Sequence, residues 1–353
     1  MKVIVVSSSA PYSGKSGVCI VLIGELQRRG FDVGYFKPYG TMPESSAAGQ
    51  TDRDAAYVNS LLGRPGPDDS VVGAVRTRTF VEDVLAGRLS VDRESVRAAF
   101  DRASEGRDVM LVEGPSDLSQ GCSVGLSLCE VAELVNGRVL LVEQSSPLAL
   151  PDSVLHAMDC LKERLVGVVY NRVPEHDRSA LVDHVSPFLA ARGVATFGTV
   201  AYDPMLSSAT VGEIVDALGG TLLCAEERVD LDVESFMVGA MGQEKALRFF
   251  RRKANKAVIT GGDRADVQMA ALETSTNLVI LTGNLPPSSF VLARADELGV
   301  PVLLVDMDTL TAVERMESLM GHVRLHGPGK TDRMREMFAE GVRVDELLAA
   351  FGL

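Results

Sequence analysis

KVIVVSSSAPYSGKSG (residues 2–17) runs from an apolar stretch into a cluster of small residues and ends on Gly14-Lys15-Ser16 and a glycine. A strand, a small-residue turn and a helix beginning near Lys15 form the context that a phosphate-binding loop requires. Small residues let backbone N–H groups approach an anion, and the positive end of the helix dipole adds to the attraction. In that reading Lys15 stands between phosphates as a point charge and the Ser16 hydroxyl holds Mg2+. Gly14-Lys15-Ser16 fits the end of the pattern G-x-x-x-x-G-K-[ST], but the position of its first glycine is Ser9 here. The alternative is a plain strand-to-helix turn with a solvated lysine, and the rest of the chain decides between the two.

The 353 residues carry a net charge of -13 at pH 7, with 46% hydrophobic and 24% charged residues. That length favours two domains. The acidic balance argues against non-specific nucleic-acid binding, which needs a basic surface. An anionic ligand then requires a local reversal of sign, which Lys15 and Lys37 supply. Five scattered cysteines without a C-x-x-C pair read as reduced thiols of a cytoplasmic protein. No apolar run has the length of a bilayer span, and the N-terminus leads into structure rather than into a signal peptide.

Short apolar runs alternate with amphipathic segments, which predicts an α/β fold with a mainly parallel sheet flanked by helices. The expected strands are 3–7, 33–37, 108–113, 138–143, 165–171 and 195–200. The turn-rich stretch YDPMLSSATVGEIVDALGG (202–220) reads as a boundary. A second, smaller α/β series follows, with strands at 256–263, 277–284 and 300–306. Two domains are therefore expected, 1–205 and 210–353.

Lys37 follows the second strand in YFKPYG, at the sheet end where such folds bind ligands. Asp52 and Asp54 open a helix in TDRDAAYV, and for Asp52 plain N-capping is the favoured reading. Glu113 ends the strand DVMLVE, where phosphate-loop proteins place a metal-binding carboxylate; the alternative is an exposed strand-end acid. Asn171 closes LVGVVYN and either offers its amide to a purine edge or forms a turn.

The order strand, SGKS, FKP, acidic helix start, VEG, YNRVP resembles the dethiobiotin synthetase-like branch of phosphate-loop proteins. APYSGKSG and GYFKPYG look closest to the N-terminal part of long phosphate acetyltransferases. The resemblance implies an ATP site formed by Ser13, Gly14, Lys15 and Ser16, with Lys37 beside the transferable phosphate. It also implies Mg2+ held by Ser16, Asp54 and Glu113, adenine near Asn171, and Lys15 and Lys37 as the catalytic candidates. The chain departs from the synthetases at GPSDLSQG (114–121), where they carry a glycine-rich substrate loop. Nothing resembles an acetyl-transferring domain or a glutaminase half.

Residues 210–353 resemble the DRTGG domain, through PMLSSATVGEIVDALGG, MVGAMGQEKALRFFRRKANKAVITGGD and LVILTGNLPPSSFVLARADELGVPVLLV. The resemblance implies a regulatory or dimerising module, so a homo-oligomer is expected. Gly261, Gly262, Asp263 and Arg264 suit a small polar or anionic ligand, or else a tight turn with an N-cap. RFFRRKANK (248–256) reads as a solvated helix face, and HGPGKTD (326–332) as a helix start. The leading expectation is a Mg-ATP-binding regulator or slow ATPase. The other is an ATP-dependent carboxylate-activating ligase or phosphotransferase using Lys37 and the 114–121 loop.

Overall fold

Ile4, Val5 and Val6 have no exposed surface, as an unbroken apolar strand covered on both faces demands. The computed structural model describes residues 1–46, 49–63, 74–144, 151–321 and 328–353. Six strands, β1 (Lys2–Ser7), β2 (Val33–Phe36), β3 (Val109–Glu113), β4 (Arg138–Gln144), β5 (Leu165–Val173) and β6 (Ala195–Ala201), form one parallel sheet. Its order is β6-β5-β4-β1-β3-β2. All six are the expected strands, with ends shifted by up to two residues.

From β1 the chain moves outward to β2, returns to β3, and then crosses to β4 on the other side of β1. The strand order thus reverses at β1, and the carboxyl ends of β1, β3 and β4 open the crevice that such sheets use for ligands. Helix α1 (Lys15–Arg28) leaves β1 and buries residues on nearly every side. Helix α2 (Arg53–Leu61) follows β2. Phe36 of β2 meets Phe100 edge-on, ring centroids 5.6 Å apart, within the core that Met110, Leu141 and Val168 share.

By packing, Met1–Tyr202 and Leu325–Leu353 form one unit and Asp203–Arg324 another. The carboxy-terminal stretch expected in the second domain therefore packs with the first. A helix, Pro328–Gly341, begins inside the expected helix start, of which 326 and 327 lie outside the described residues. It packs on α1 and β6. Val342 then bridges Gly198, and Arg343 N donates to the Phe197 carbonyl at 2.8 Å. β6 is the sheet's edge, and the tail covers its unpaired backbone groups. The approach is close enough to require glycine: a Cβ on Gly341 would lie 2.0 Å from the Thr199 carbonyl oxygen, and one on Gly198 would lie 2.1 Å from that of Gly341. An amphipathic pattern shows that a helix will bury one face, but not which domain receives it.

The first α-helix of the second unit is Val211–Leu218, whose Thr210 and Glu213 form a capping box. Its sheet runs Thr221–Leu222, Val302–Leu304, Thr276–Thr282, Lys256–Gly261, Ser235–Val238, with Thr221–Leu222 antiparallel at one edge. Ser235–Val238 lies outside the expected strands. Lys256, read in the sequence as part of a solvated face, is wholly buried. Its Nζ donates to Thr274 Oγ1 at 3.0 Å and to the Ser275 carbonyl at 2.8 Å. Burial pushes its pKa down to about 8.

Two outcomes follow from this packing. Gly341→Ala forces its Cβ against the Thr199 carbonyl and is expected to cost about 1–3 kcal/mol in urea unfolding. For Lys256, the unfolded chain still holds a proton that the folded chain has lost between about pH 8 and the ordinary lysine value of 10.5. Wild type should therefore gain stability relative to Lys256→Met as pH rises through that window. A flat difference between the two proteins across it would refute the assignment.

Candidate functional site

Strand register brings the candidate residues together. Phe36 pairs with Val112 and Val6 with Glu113, so Lys37, one residue past β2, ends beside Glu113. Lys37 is 3% exposed. Its Nζ lies 2.8 Å from Asp52 Oδ1, 3.3 Å from Glu113 Oε1 and 3.4 Å from Asp54 Oδ2. Burial alone would depress the Lys37 ammonium, but Glu113, Asp54 and Asp52 outweigh it and hold its pKa well above the lysine range. Asp52 is both the cap favoured in the sequence and an ion-pair partner. Its Oδ1 accepts from the Asp54 and Ala55 amides, and its Oδ2 from those of Thr41 and Met42.

Both Glu113 oxygens are engaged as well. Oε1 accepts from Ser16 Oγ at 3.0 Å and Oε2 from the Tyr35 hydroxyl at 2.9 Å. Asp54 and Glu113 thus gather around one ammonium, with Ser16 bonded to Glu113, while among the described residues no three His, Cys, Asp or Glu side chains group as a metal site. A hydroxyl and two carboxylates are hard oxygen donors of the kind Mg2+ takes. At Mg2+–oxygen bonds of about 2.1 Å, adjacent corners of an octahedron lie about 3 Å apart. The Ser16–Glu113 separation matches that spacing.

The loop itself is built from strained and close-packed backbone. Tyr12 and Gly14 have φ of 61° and 85°. A Cβ on Gly14 would sit 2.2 Å from Asn171 Nδ2. Alternating left-handed residues turn successive N–H groups inward, which is how an anion nest forms. No side chain caps α1, so its first-turn N–H groups face the loop without a protein acceptor from the cap residue. The Ser13 hydroxyl is buried and has no hydrogen-bond partner among the described residues. Such an atom is costly to bury and fits a ligand that supplies the missing bond. Burial holds the Lys15 ammonium below the usual lysine range, with Glu113 opposing and Lys37 adding to the depression.

Asn171, implied by the resemblance to lie at adenine, is placed against the loop. Gln144 pairs with Asn171 across β4 and β5, and Asn171 Nδ2 donates to the Ser13 carbonyl at 2.8 Å. Gln144 Nε2 and Arg172 both donate to the Tyr12 carbonyl, at 2.8 and 3.2 Å. Ser9, standing where the pattern has glycine, is held by Glu143: its amide donates to Oε1 at 2.8 Å and its hydroxyl to Oε2. Burial raises the Glu143 pKa, against the pull of those bonds. Sequence reasoning missed Glu143, although a signal was present. LVE ends both the third and the fourth apolar run, at Glu113 and at Glu143.

The 114–121 loop is ordered by its own groups. Asp117 Oδ1 accepts from the Ser119 amide and hydroxyl and the Gln120 amide, and Ser116 N donates to Gln120 Oε1. Ser7 and Ser8 tie it to β1 through the Pro115 and Ser116 carbonyls, each at 2.8 Å.

In the second unit, a Cβ on Gly262 would fall 1.6 Å from the Leu285 carbonyl oxygen, so that backbone is seated on its neighbour. Arg264 donates to the Met241 carbonyl at 3.0 Å and pairs with Asp266. Gln268 Nε2 donates to the Gly261 and Gly262 carbonyls, while its buried Oε1 has no partner among the described residues.

Comparison with known proteins gives two family matches, an AAA domain over residues 2–210 and a DRTGG domain over 213–319. The chain is 24% identical over 331 residues to the phosphate acetyltransferase of Synechocystis sp., covering 89% of this chain and 46% of that protein. With the phosphate acetyltransferase of Nitrosomonas europaea it shares 22% over 358 residues, covering 96% and 50%. The chain therefore spans about half the length of the curated relatives it matches. Among solved structures, the cell division ATPase MinD of Pyrococcus furiosus covers 58% of this chain and 85% of its own, at 19% identity and a TM-score of 0.35. A TM-score of that size carries no argument about this chain. The expected pairing of a dethiobiotin synthetase-like phosphate-loop domain with a DRTGG domain is borne out.

Lys37→Met leaves two buried carboxylates, Asp52 and Glu113, and the half-buried Asp54 without their ammonium. Removing one partner of a buried pair costs about 3–5 kcal/mol, and urea unfolding at neutral pH should show a loss of that order. A loss below about 1 kcal/mol would mean that solvent already screens the cluster.

Proposed function

Because the chain belongs to the AAA domain family over residues 2–210 and carries a DRTGG domain after it, we propose that it is a Mg-ATP-binding regulator or slow ATPase. One observation carries the reading: at a strand-order reversal, a loop with a buried Ser13 hydroxyl that has no partner among the described residues runs into the uncapped start of a helix that opens with Lys15.

In this reading Ser13, Gly14, Lys15 and Ser16 bind the phosphates through backbone N–H groups, the Lys15 charge and the Ser16 hydroxyl. Phosphate oxygens offset the burial that depresses the Lys15 ammonium, so binding and lysine protonation reinforce each other. Asn171 acts by holding the Ser13 carbonyl, and Glu143 by holding Ser9. Ser16, Asp54 and Glu113 would hold Mg2+, which when bound supplies positive charge to the phosphates. Lys37, tied to three carboxylates, balances that acidic cluster. Its commitment there supports binding over the ligase reading, which needs Lys37 for a substrate.

The second unit is the regulatory part, with Gly261, Gly262, Asp263 and Arg264 beside the unpartnered Gln268 Oε1 as the place for a small ligand. A cytoplasmic setting accords with five free cysteines. No helix among the described residues is long and apolar enough to cross a membrane.

Calorimetric titration of Mg-ATP into wild type and Lys15→Ala tests the reading. Charge-assisted contacts contribute about 1.5–3 kcal/mol, so the variant should bind roughly 10- to 150-fold more weakly. Equal affinities in the two proteins, or no binding by wild type, would overturn it.

A further inference from the structure

The oxygens that the reading above assigns to Mg2+ already face a cation. Lys37 Nζ lies 3.3 Å from Glu113 Oε1 and 3.4 Å from Asp54 Oδ2, the two carboxylates of that set. Glu113 Oε1 is also the oxygen that accepts from Ser16 Oγ, at 3.0 Å. The shortest contact of the ammonium is with Asp52 Oδ1, at 2.8 Å, and Asp52 is itself fixed by four backbone amides. Lys37 is thus anchored on a carboxylate outside the metal set and directed at both carboxylates inside it. A divalent ion on Ser16, Glu113 and Asp54 would be repelled by that ammonium and would compete with it for the same oxygens. Glu113 and Lys37 are buried, so solvent ions screen this repulsion little.

We propose that Lys37 makes the metal site nucleotide-dependent. In the nucleotide-free chain its ammonium is the cation of Glu113 and Asp54 and keeps divalent metal off them, so that metal enters only together with phosphate. The proposal rests on the phosphate-loop reading given above. Phosphates at the loop bring negative charge beside the same oxygens and offset the repulsion between ammonium and metal. The surplus charge of the cluster still draws cations to the crevice, but directs none to Glu113 Oε1 while the ammonium faces it. Lys37 is in this sense a specificity-determining residue, setting when the crevice accepts a divalent ion.

Mn2+ without nucleotide is the probe, with the free ion counted by electron paramagnetic resonance. The full wild-type chain should bind it weakly. Lys37→Met should bind it roughly 10- to 100-fold more tightly, the scale expected when a unit charge is removed from beside a divalent ion. Adding Glu113→Gln to Lys37→Met should abolish the gain, and Lys37→Arg, which keeps the positive charge, should stay close to wild type. MnCl2 should also raise the urea midpoint of Lys37→Met and leave that of wild type unchanged. If Lys37→Met is unfolded without metal, MnCl2 should restore its far-UV circular dichroism. Equal affinities of wild type and Lys37→Met, a gain that survives Glu113→Gln, or an unfolded Lys37→Met that metal does not refold would each overturn the proposal. The Mg-ATP titration reads the phosphate loop separately. ATP binding by wild type without a metal gain in Lys37→Met removes the role of Lys37 alone. A metal gain without ATP binding removes the nucleotide reading, and with it the dependence on nucleotide.

Discussion

Taking an ammonium out of water costs several kcal/mol unless its charge is matched, and at Lys37 the match is more than complete. Asp52, Asp54 and Glu113 surround it, and each carboxylate organises another part of the unit. Asp52 binds four backbone amides, joining the start of α2 to the segment after β2. Glu113 takes hydrogen bonds from Tyr35 of β2 and from Ser16 at the head of α1. One lysine thus fixes the carboxyl ends of β2 and β3 and the starts of two helices relative to each other. The surplus negative charge is the cluster's other property. It favours a cation in the crevice, and it means that an anion can enter only where Lys15 and helix N–H groups face it.

The phosphate loop shows how a departure from a sequence pattern can be absorbed by fold. A glycine at position 9 would keep only the amide bond to Glu143. Ser9 adds its hydroxyl as a second donor, and the Tyr12 and Ser13 carbonyls are each tied down from β4 or β5. Freedom that glycine would allow is replaced by hydrogen bonds from neighbouring strands. The cost is a buried carboxylate and a left-handed tyrosine, both of which persist only because their surroundings overdetermine them.

Much of the first unit was legible because its strands are apolar runs between turn residues, and such runs declare themselves locally. Lys15, Lys37, Asp54 and Glu113 could be found for the same reason: each sits at a strand end or helix start that the pattern marks. What escaped depends on register and tertiary choice. Glu143 becomes a partner of Ser9 only because Ser7 pairs with Leu141, and Asn171 reaches the loop only through the pairing of β4 with β5. Lys256 closes a basic run and opens an expected strand, and neither placement shows that its ammonium is buried against Thr274 and Ser275. The affiliation of residues 328–353 was invisible for a related reason: close glycine contacts across distant positions leave no mark in a linear pattern.

That affiliation reaches beyond the finished structure. A ribosome releases the chain amino-terminus first, so β6 is made before the segment that covers it, and the whole second unit must be synthesised in between. During that interval the nascent sheet presents an open edge, the feature most prone to pairing with other strands. The first unit is therefore begun before the second and completed after it. A chain stalled within the second unit would leave the first without its carboxy-terminal closure.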